Sequence, residues 1–448
     1  RVTVNLAPAD IPKDGSAFDL PIALGVLVAS EQISGSGLGN QLCAGELGLQ
    51  GDLRPVRGAL SMALAARASG CRGILLPEAN VAEAAVVQGV EVRGGRTLAE
   101  IVAHLSGKVP IAPARPAAGS VVGAEPEDGV DFGDVRGQAA AKRALEVAAA
   151  GGHNVLLIGS PGAGKTMLVR RLPTILPPLT LDEALEVTRI HSVAGLLAPG
   201  RALMTARPFR APHHTISDAG LIGGGSHPRP GEVSLAQGGV LFLDELPEFR
   251  RSVLEVLRQP LEDGVVSLSR AAVSVSYPAR FMLAAAMNPC PCGYRGDPSR
   301  ECRCAPPLID RYLGRLSGPL LDRIDMHLVV PAVAWKELIG DRLEESSGVI
   351  RTRVGRARAV QEGRFAGKPG QYVNAHMTPR DIHRYCRLGH SVEALLRAAI
   401  TRLTLSARAY HRVLKLARTI ADLAGVEAIG ETHVAEAIQY RALDRGRR

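Results

Sequence analysis

Aromatic side chains are scarce: Phe, Tyr and Trp make up 3% of the 448 residues, with a single tryptophan. So thin a supply argues against a platform that holds single-stranded bases by stacking, which needs successive aromatic faces. Cysteines number seven; Cys290, Cys292, Cys302 and Cys304 crowd together, while Cys43, Cys71 and Cys386 stand apart. A long chain with that distribution is not a disulfide framework and reads as cytoplasmic, with reduced thiols. Long apolar runs are also missing. The longest, Leu20–Ala29, is about half of what spans a bilayer, so no membrane is expected. No leader peptide is recognisable either: Arg1 runs into the strand-like Val2–Leu6, as if a segment preceded it.

What is present suits a soluble globular chain. Hydrophobic residues are 46% and charged residues 22%, which excludes intrinsic disorder, and the length allows two to four domains at roughly 100–200 residues each. The net charge of +9 is uneven: residues 351–448 hold 19 Lys/Arg against 8 Asp/Glu, a net of +11, leaving −2 for the rest. A basic tail on a near-neutral body suits a polyanion such as nucleic acid, gripped through phosphates and therefore salt-sensitive; a solvated Arg-rich helical surface would look the same by charge alone.

Four segments follow from composition. Residues 1–108 alternate short apolar strands (Gly73–Pro77) with helical stretches (Gly58–Ser69, Val81–Gln88). Residues 109–130 are dense in Pro, Ala and Gly without periodicity, and read as a linker. Residues 131–340 form a long α/β stretch, opened by a helix over Gln138–Ala150 and a buried strand over Asn154–Ile158. Residues 341–448 are a charged connection followed by helices, with Thr378-Pro379 as N-cap and first helical residue.

The α/β stretch carries the chemistry. After the strand, Gly159, Ser160, Pro161, Gly162, Ala163, Gly164, Lys165 and Thr166 spell a phosphate-binding loop, and a helix follows. The glycines turn backbone N–H groups toward phosphates, Lys165 supplies a point charge and Thr166 a hydroxyl for Mg²⁺. Gly239–Glu245 is a buried strand ending in two carboxylates. Asp244 is placed for the Mg²⁺ shell, and Glu245 for activating water against the γ-phosphate of ATP. A third apolar strand, Phe281–Met287, ends at Asn288, where a polar residue faces the ligand crevice. Standing alone, Asn288 would read as a loop cap.

Assembled, the segments GSPGAGKT, GEVSLAQGGVLFLDELPEF, AAMNPCPCGY, SGPLLDRIDMH and SARAYHRVLKLARTIADLAG resemble the AAA+ ATPases, in particular the magnesium-chelatase-like ATPases of the ComM/YifB type. The resemblance implies an α/β P-loop NTPase core with a C-terminal helical lid, assembled as a homo-hexamer. It implies that Asn288 is sensor 1, that Arg323 is an arginine finger, that Arg408 is the sensor 2 arginine, and that Gln138 belongs to the segment flanking adenine. Read from the residues alone, Arg323 could instead pair with Asp322 or Asp325, and Arg412 and Lys415 could form a solvated stripe. Residues 207–234 resemble a helix-2 insert and 264–278 a pre-sensor-1 hairpin, both pore elements, with Arg270 and Arg280 available to a nucleic-acid backbone. His213 and His214 read as ordinary loop histidines more readily than as metal ligands.

The four clustered cysteines, within 290–304, fit a structural zinc site, although their C-x-C spacing is tighter than C-x₂-C and unliganded thiols are the rival reading. Residues 1–108 resemble the Lon-protease-like α+β domain (ribosomal S5-type), as a partial copy. Ala17 and Leu60 stand where that family has its Ser and Lys, and without the pair no activated nucleophile forms. The implied function is an ATP-driven branch-migration helicase acting on single-stranded and branched DNA in recombination during natural transformation, with recombination proteins as partners. The rival is a chelatase-like protein-remodelling ATPase that does not act on DNA; the ATPase motifs serve both. An ATP-dependent protease is disfavoured by Ala17 and Leu60.

Overall fold

The computed structural model describes residues 2–5, 15–115, 129–198, 200–225, 228–269, 274–333, 344–368, 371–403 and 406–441. Most of the expected linker, Arg270, and part of the charged connection, Trp335 included, therefore lie outside the described residues.

Near the N-terminus, three parallel strands, Gln41–Cys43, Gly73–Pro77 and Glu91–Gly95, pair in that order. The middle strand is buried along its whole length, as an unbroken apolar run flanked on both sides should be. Ala59, Ala63 and Ala66 share one face of the helix Ala59–Ala68, and their small side chains let it lie close on the sheet. Two expectations need correction. Val2–Asn5 is exposed and forms no strand, since no neighbouring strand offers it a ladder among the described residues. The helix over Val81–Gln88 stops at Ala84, because Val86, Val87 and the left-handed Gly89 do not favour its continuation. This unit meets the next through buried Glu83, which accepts from Asn80 (2.8 Å) and from the Ser192 hydroxyl (2.5 Å).

The central sheet has five parallel strands: Val155–Ile158, Phe209–Arg210, Val240–Leu243, Met282–Met287 and Met326–Val329. Numbered in that chain order, their spatial order is 5-1-4-3-2. Parallel strands buried on both faces need continuous apolar sequence, which these segments supply. One face is covered by the helix Ala139–Gly151, buried over most of its length because its alanines allow close approach both to the sheet and to the C-terminal helices Ser347–Phe365 and Ala407–Leu423. Polar ties reinforce the packing: Gln361 donates to the Ala150 carbonyl (3.0 Å), Arg353 pairs with Glu146, and Arg364 and Arg418 converge on Asp422. Thr378 caps the helix Pro379–Tyr385 through a reciprocal bond with Asp381, as the Thr-Pro signal implied.

Beneath the sheet, at the amino ends of its strands, Asp325 is a buried junction. It accepts from the Asn154 N–H (3.0 Å) and from Arg412 (2.7 Å), with His153 3.6 Å away. Burial alone would raise its pKa, but Arg412, His153 and Lys415 override that and hold the carboxyl well below its usual range. The solvated-stripe reading of Arg412 and Lys415 therefore fails: Arg412 is spent on Asp325, and Lys415 donates to the Ala375 carbonyl (2.7 Å). Asp325→Asn strands a buried guanidinium and is expected to cost about 3 kcal/mol in stability at pH 7. Because the folded carboxyl's pKa is depressed, its contribution is present above the unfolded value of about 4 and is lost as the pH falls below it. The melting-temperature gap between wild type and variant should therefore narrow below about pH 4. An unchanged melting temperature at pH 7 would refute this account.

Candidate nucleotide-binding site

Three strand ends converge at the carboxyl edge of the sheet, where ligands of open α/β sheets bind. Val155–Ile158 delivers the glycine-rich loop, Val240–Leu243 delivers Asp244 and Glu245, and Met282–Met287 delivers Asn288. Gly159 is dictated by a close approach, since a Cβ there would sit 2.3 Å from the Val330 carbonyl oxygen. Gly164 caps the helix Lys165–Ile175 in the left-handed region (φ 85°), aiming the positive end of the helix at the loop. Nothing lies within 4 Å of where a Gly162 Cβ would stand, so the cradle opens outward.

The side chains are already organised. Lys165 Nζ donates to the carbonyls of Gly159 (2.6 Å) and Ser160 (3.0 Å) and to Asn288 Oδ1 (3.2 Å). Burial lowers its pKa against the pull of Asp244 and Glu245. Thr166 donates its hydroxyl to Asp244 Oδ2 at 2.7 Å, and Asp244 Oδ1 accepts the Glu245 N–H at 2.9 Å. The Thr166–Asp244 pair is the donor set that Mg²⁺ on a nucleotide takes. Glu245 is left-handed (φ 53°), a conformation a non-glycine residue holds at a cost of about 1 kcal/mol and mostly at functional positions. Its carboxylate is exposed and 3.6 Å from His214 Nδ1. Gln138, also left-handed, spends its amide on the carbonyls of Ala163 (3.2 Å) and Pro331 (2.6 Å), tying the phosphate loop to the end of the neighbouring strand.

Arg323 and Arg408 lie elsewhere. Arg323 precedes the strand Met326–Val329, so it stands at the amino edge of the sheet, opposite the phosphate loop. It pairs with Glu262, not with Asp322 or Asp325, and donates to the Pro319 carbonyl (2.8 Å). Arg408, mostly exposed, faces Asp322 at 3.9 Å. Both line a cavity of about 550 Å³ together with Asn154, Arg280, Arg412 and Lys415. Arg280 thus sits under the helical region at the base of the hairpin, not on a projecting tip. The hairpin itself, Val265–Ser269 with Ser274–Pro278, is antiparallel. It touches the insert at Gly223–Pro230, where Tyr277 donates to the Pro228 carbonyl at 2.9 Å.

The four cysteines converge too. Their sulfurs lie within 4.8 Å of one another, with Cys290–Cys292 at 3.4 Å and Cys290–Cys302 and Cys292–Cys302 at 3.6 Å. A tetrahedral Zn²⁺ with bonds of about 2.3 Å separates its sulfurs by about 3.8 Å, so the residues fit that ion. The Tyr294 backbone N–H and the adjacent thiols draw Cys292 down to about 6. Cys304, despite a backbone contact at Cys292, is pushed up to about 12 by its neighbours. Among the described residues this is the one such grouping, and His213 and His214 belong to none; their ring centroids lie 4.0 Å apart, tilted by 34°.

Three contacts escaped sequence reasoning: His214 on Glu245, Glu262 on Arg323, and the cysteine loop lying on the phosphate loop where Gly293 meets Pro161. Only the Asp-x-Ser turn at Asp297–Ser299 left any local trace.

A parallel 5-1-4-3-2 sheet with a phosphate loop on strand 1, one in from the edge, defines a P-loop nucleotide-binding core. Comparison with known proteins places it further. Residues 131–338 match the family model for magnesium chelatase, subunit ChlI, residues 344–441 match its C-terminal model, and residues 1–80 match the model for subunit ChlI of Mg-chelatase. The chain is 46% identical over 450 residues to competence protein ComM of Haemophilus influenzae, spanning 99% of this chain and 86% of that protein. It is 44% identical to the uncharacterized protein YifB of Escherichia coli, over the same shares. The chloroplastic magnesium-chelatase subunit ChlI of Nicotiana tabacum is 26% identical over 212 residues, 43% of this chain and 45% of that one. The chain belongs to the ComM/YifB-type magnesium-chelatase-like AAA+ proteins. That membership implies use of ATP and Mg²⁺. Among the described residues, no helix is long and apolar enough to cross a membrane.

Proposed function

We propose that this protein is a ring-forming ATP hydrolase that drives DNA strands through branched junctions during recombination of incoming DNA. The observation carrying the hydrolase reading is the meeting of Lys165 with Asn288 and of Thr166 with Asp244 across three strand ends. Lys165 and the loop N–H groups bind the phosphates, and Asn288 orients the terminal one. Thr166 and Asp244 would hold Mg²⁺, which would neutralise charge on the phosphate oxygens. Glu245 turns from His214 to orient water and take its proton. Arg323 and Arg408 act on the neighbouring subunit's nucleotide. The hairpin at 264–278 and the insert at 207–234, joined at Tyr277, contact the DNA backbone, and the basic C-terminal segment adds phosphate affinity. The similarity to a competence protein supports the DNA reading.

The N-terminal unit reads as a Lon-like scaffold without proteolytic function. Leu60, at the lysine's place, is fully buried, and the Ser16 hydroxyl is bonded to Glu46. The chelatase relatives keep a protein-remodelling motor as the second reading. The cysteine cluster reads as a structural zinc site, on its sulfur geometry.

The test is the ATPase rate without DNA and with single strands, duplex or a four-way junction at two salt concentrations, with Lys165→Ala as blank. We expect the junction to stimulate most, and the stimulation to fall roughly tenfold or more between about 50 and 200 mM salt. A Lys165-dependent rate indifferent to every DNA would instead favour protein remodelling.

A further inference from the structure

The cysteine loop has no helix or strand between Asn288 and Pro306, yet it lies against the nucleotide site rather than on open surface. Unstructured stretches of such length inside a compact domain are commonly functional. Three points fasten it. Asn288, at its start, accepts from Lys165. Gly293 is left-handed (φ 87°), and its backbone lies on the Pro161 ring so closely that a Cβ would stand 2.6 Å from Pro161 Cδ. Asp297 closes the next turn, accepting the Ser299 hydroxyl (2.6 Å) and N–H (2.8 Å), and its carboxyl is held down at about 2, first by the Ser160 hydroxyl and then by Ser299. Arg300 braces the loop over the Tyr294 ring, 4.8 Å from its centroid.

Ser160 and Pro161 are the residues that follow Gly159 into the phosphate loop. Their outer side is therefore built by a segment whose own order comes from four sulfurs at its base. We infer that the cysteine loop is a wall of the nucleotide site, that the Gly293 backbone positions Pro161, and that zinc held by Cys290, Cys292, Cys302 and Cys304 sets the affinity for nucleotide. The inference rests on the zinc and nucleotide readings above. Without the ion, the loop regains backbone freedom that two or three surface contacts do not offset. Nucleotide then binds only the fraction of molecules whose wall is in place.

The experiment uses the full chain and a fluorescent ATP analogue with Mg²⁺ in excess, titrated before and after a zinc-selective chelator, with zinc content measured by mass spectrometry. We expect about one zinc per chain, affinity about tenfold weaker after stripping, and recovery on zinc addition. Gly293→Ala, whose added methyl would stand 2.6 Å from Pro161 Cδ, should keep its zinc yet bind the analogue about three- to tenfold more weakly. Zinc bound with affinity indifferent both to stripping and to Gly293→Ala overturns the coupling and leaves the two underlying sites standing. A chain that takes up no zinc overturns the metal half, and Gly293→Ala then judges the wall alone. A wild type that binds the analogue no better than Lys165→Ala overturns the inference together with the nucleotide reading.

Discussion

Glu245→Gln is expected to lower the turnover number by about 10²–10⁴-fold while leaving nucleotide affinity within a few-fold of wild type. The two adjacent carboxylates differ in what they are bonded to. Both oxygens of Asp244 are committed, one to the Thr166 hydroxyl and one to the Glu245 N–H. Asp244→Asn should therefore disturb Mg²⁺-dependent binding itself. Among the described residues the one ion pair of the Glu245 carboxylate is with His214, and its backbone is left-handed with the side chain exposed. A group left that free and that strained suits proton transfer rather than structure. Single-turnover hydrolysis beside analogue titration separates the two cases. A Gln variant that hydrolyses at the wild-type rate would remove Glu245 from the chemistry.

How much of this was legible beforehand depended on distance along the chain. The phosphate loop and the Asp-Glu strand end are contiguous, and each sits where an apolar run stops, so pattern and chemistry coincide. The same holds for the four cysteines. Contacts between distant segments leave no such mark. Glu262, just before the hairpin, meets Arg323 across the cavity they share, whereas closeness along the chain suggested Asp322 or Asp325. Arg412 and Lys415 share a helix face, but periodicity does not distinguish a solvated face from one turned onto a buried Asp325. The strand Phe209–Arg210 is two residues long and pairs only at the edge of the sheet, too short for any period-two signal. Gln138, expected at the adenine, puts its amide on backbone carbonyls, a geometry that depends on a left-handed turn after Gly137.

The second large effect concerns Arg323. The phosphate loop leaves the carboxyl end of Val155–Ile158, whereas Arg323 stands before the amino end of the adjacent, parallel Met326–Val329. Four residues at about 3.3 Å each put roughly 13 Å of strand between those edges, more than an arginine side chain spans. Arg323 therefore does not serve its own nucleotide without dismantling the sheet, and Arg408 lines the same cavity. A head-to-tail contact that sets this cavity over the next subunit's phosphate loop gives both arginines a role, and such contacts close into rings. Arg323 would exchange Glu262, a largely exposed partner of small net worth, for the developing charge on the terminal phosphate. Arg323→Ala alone should lose about 10³-fold or more in rate with nucleotide affinity retained. The decisive measurement mixes it with Lys165→Ala, which keeps Arg323 but lacks a working phosphate loop. In randomly mixed rings, roughly a quarter of the interfaces pair an intact loop with an intact arginine, so two inactive variants should recover about that share of the activity. If Arg323 acted within its own subunit, no mixture would exceed the sum of its parts.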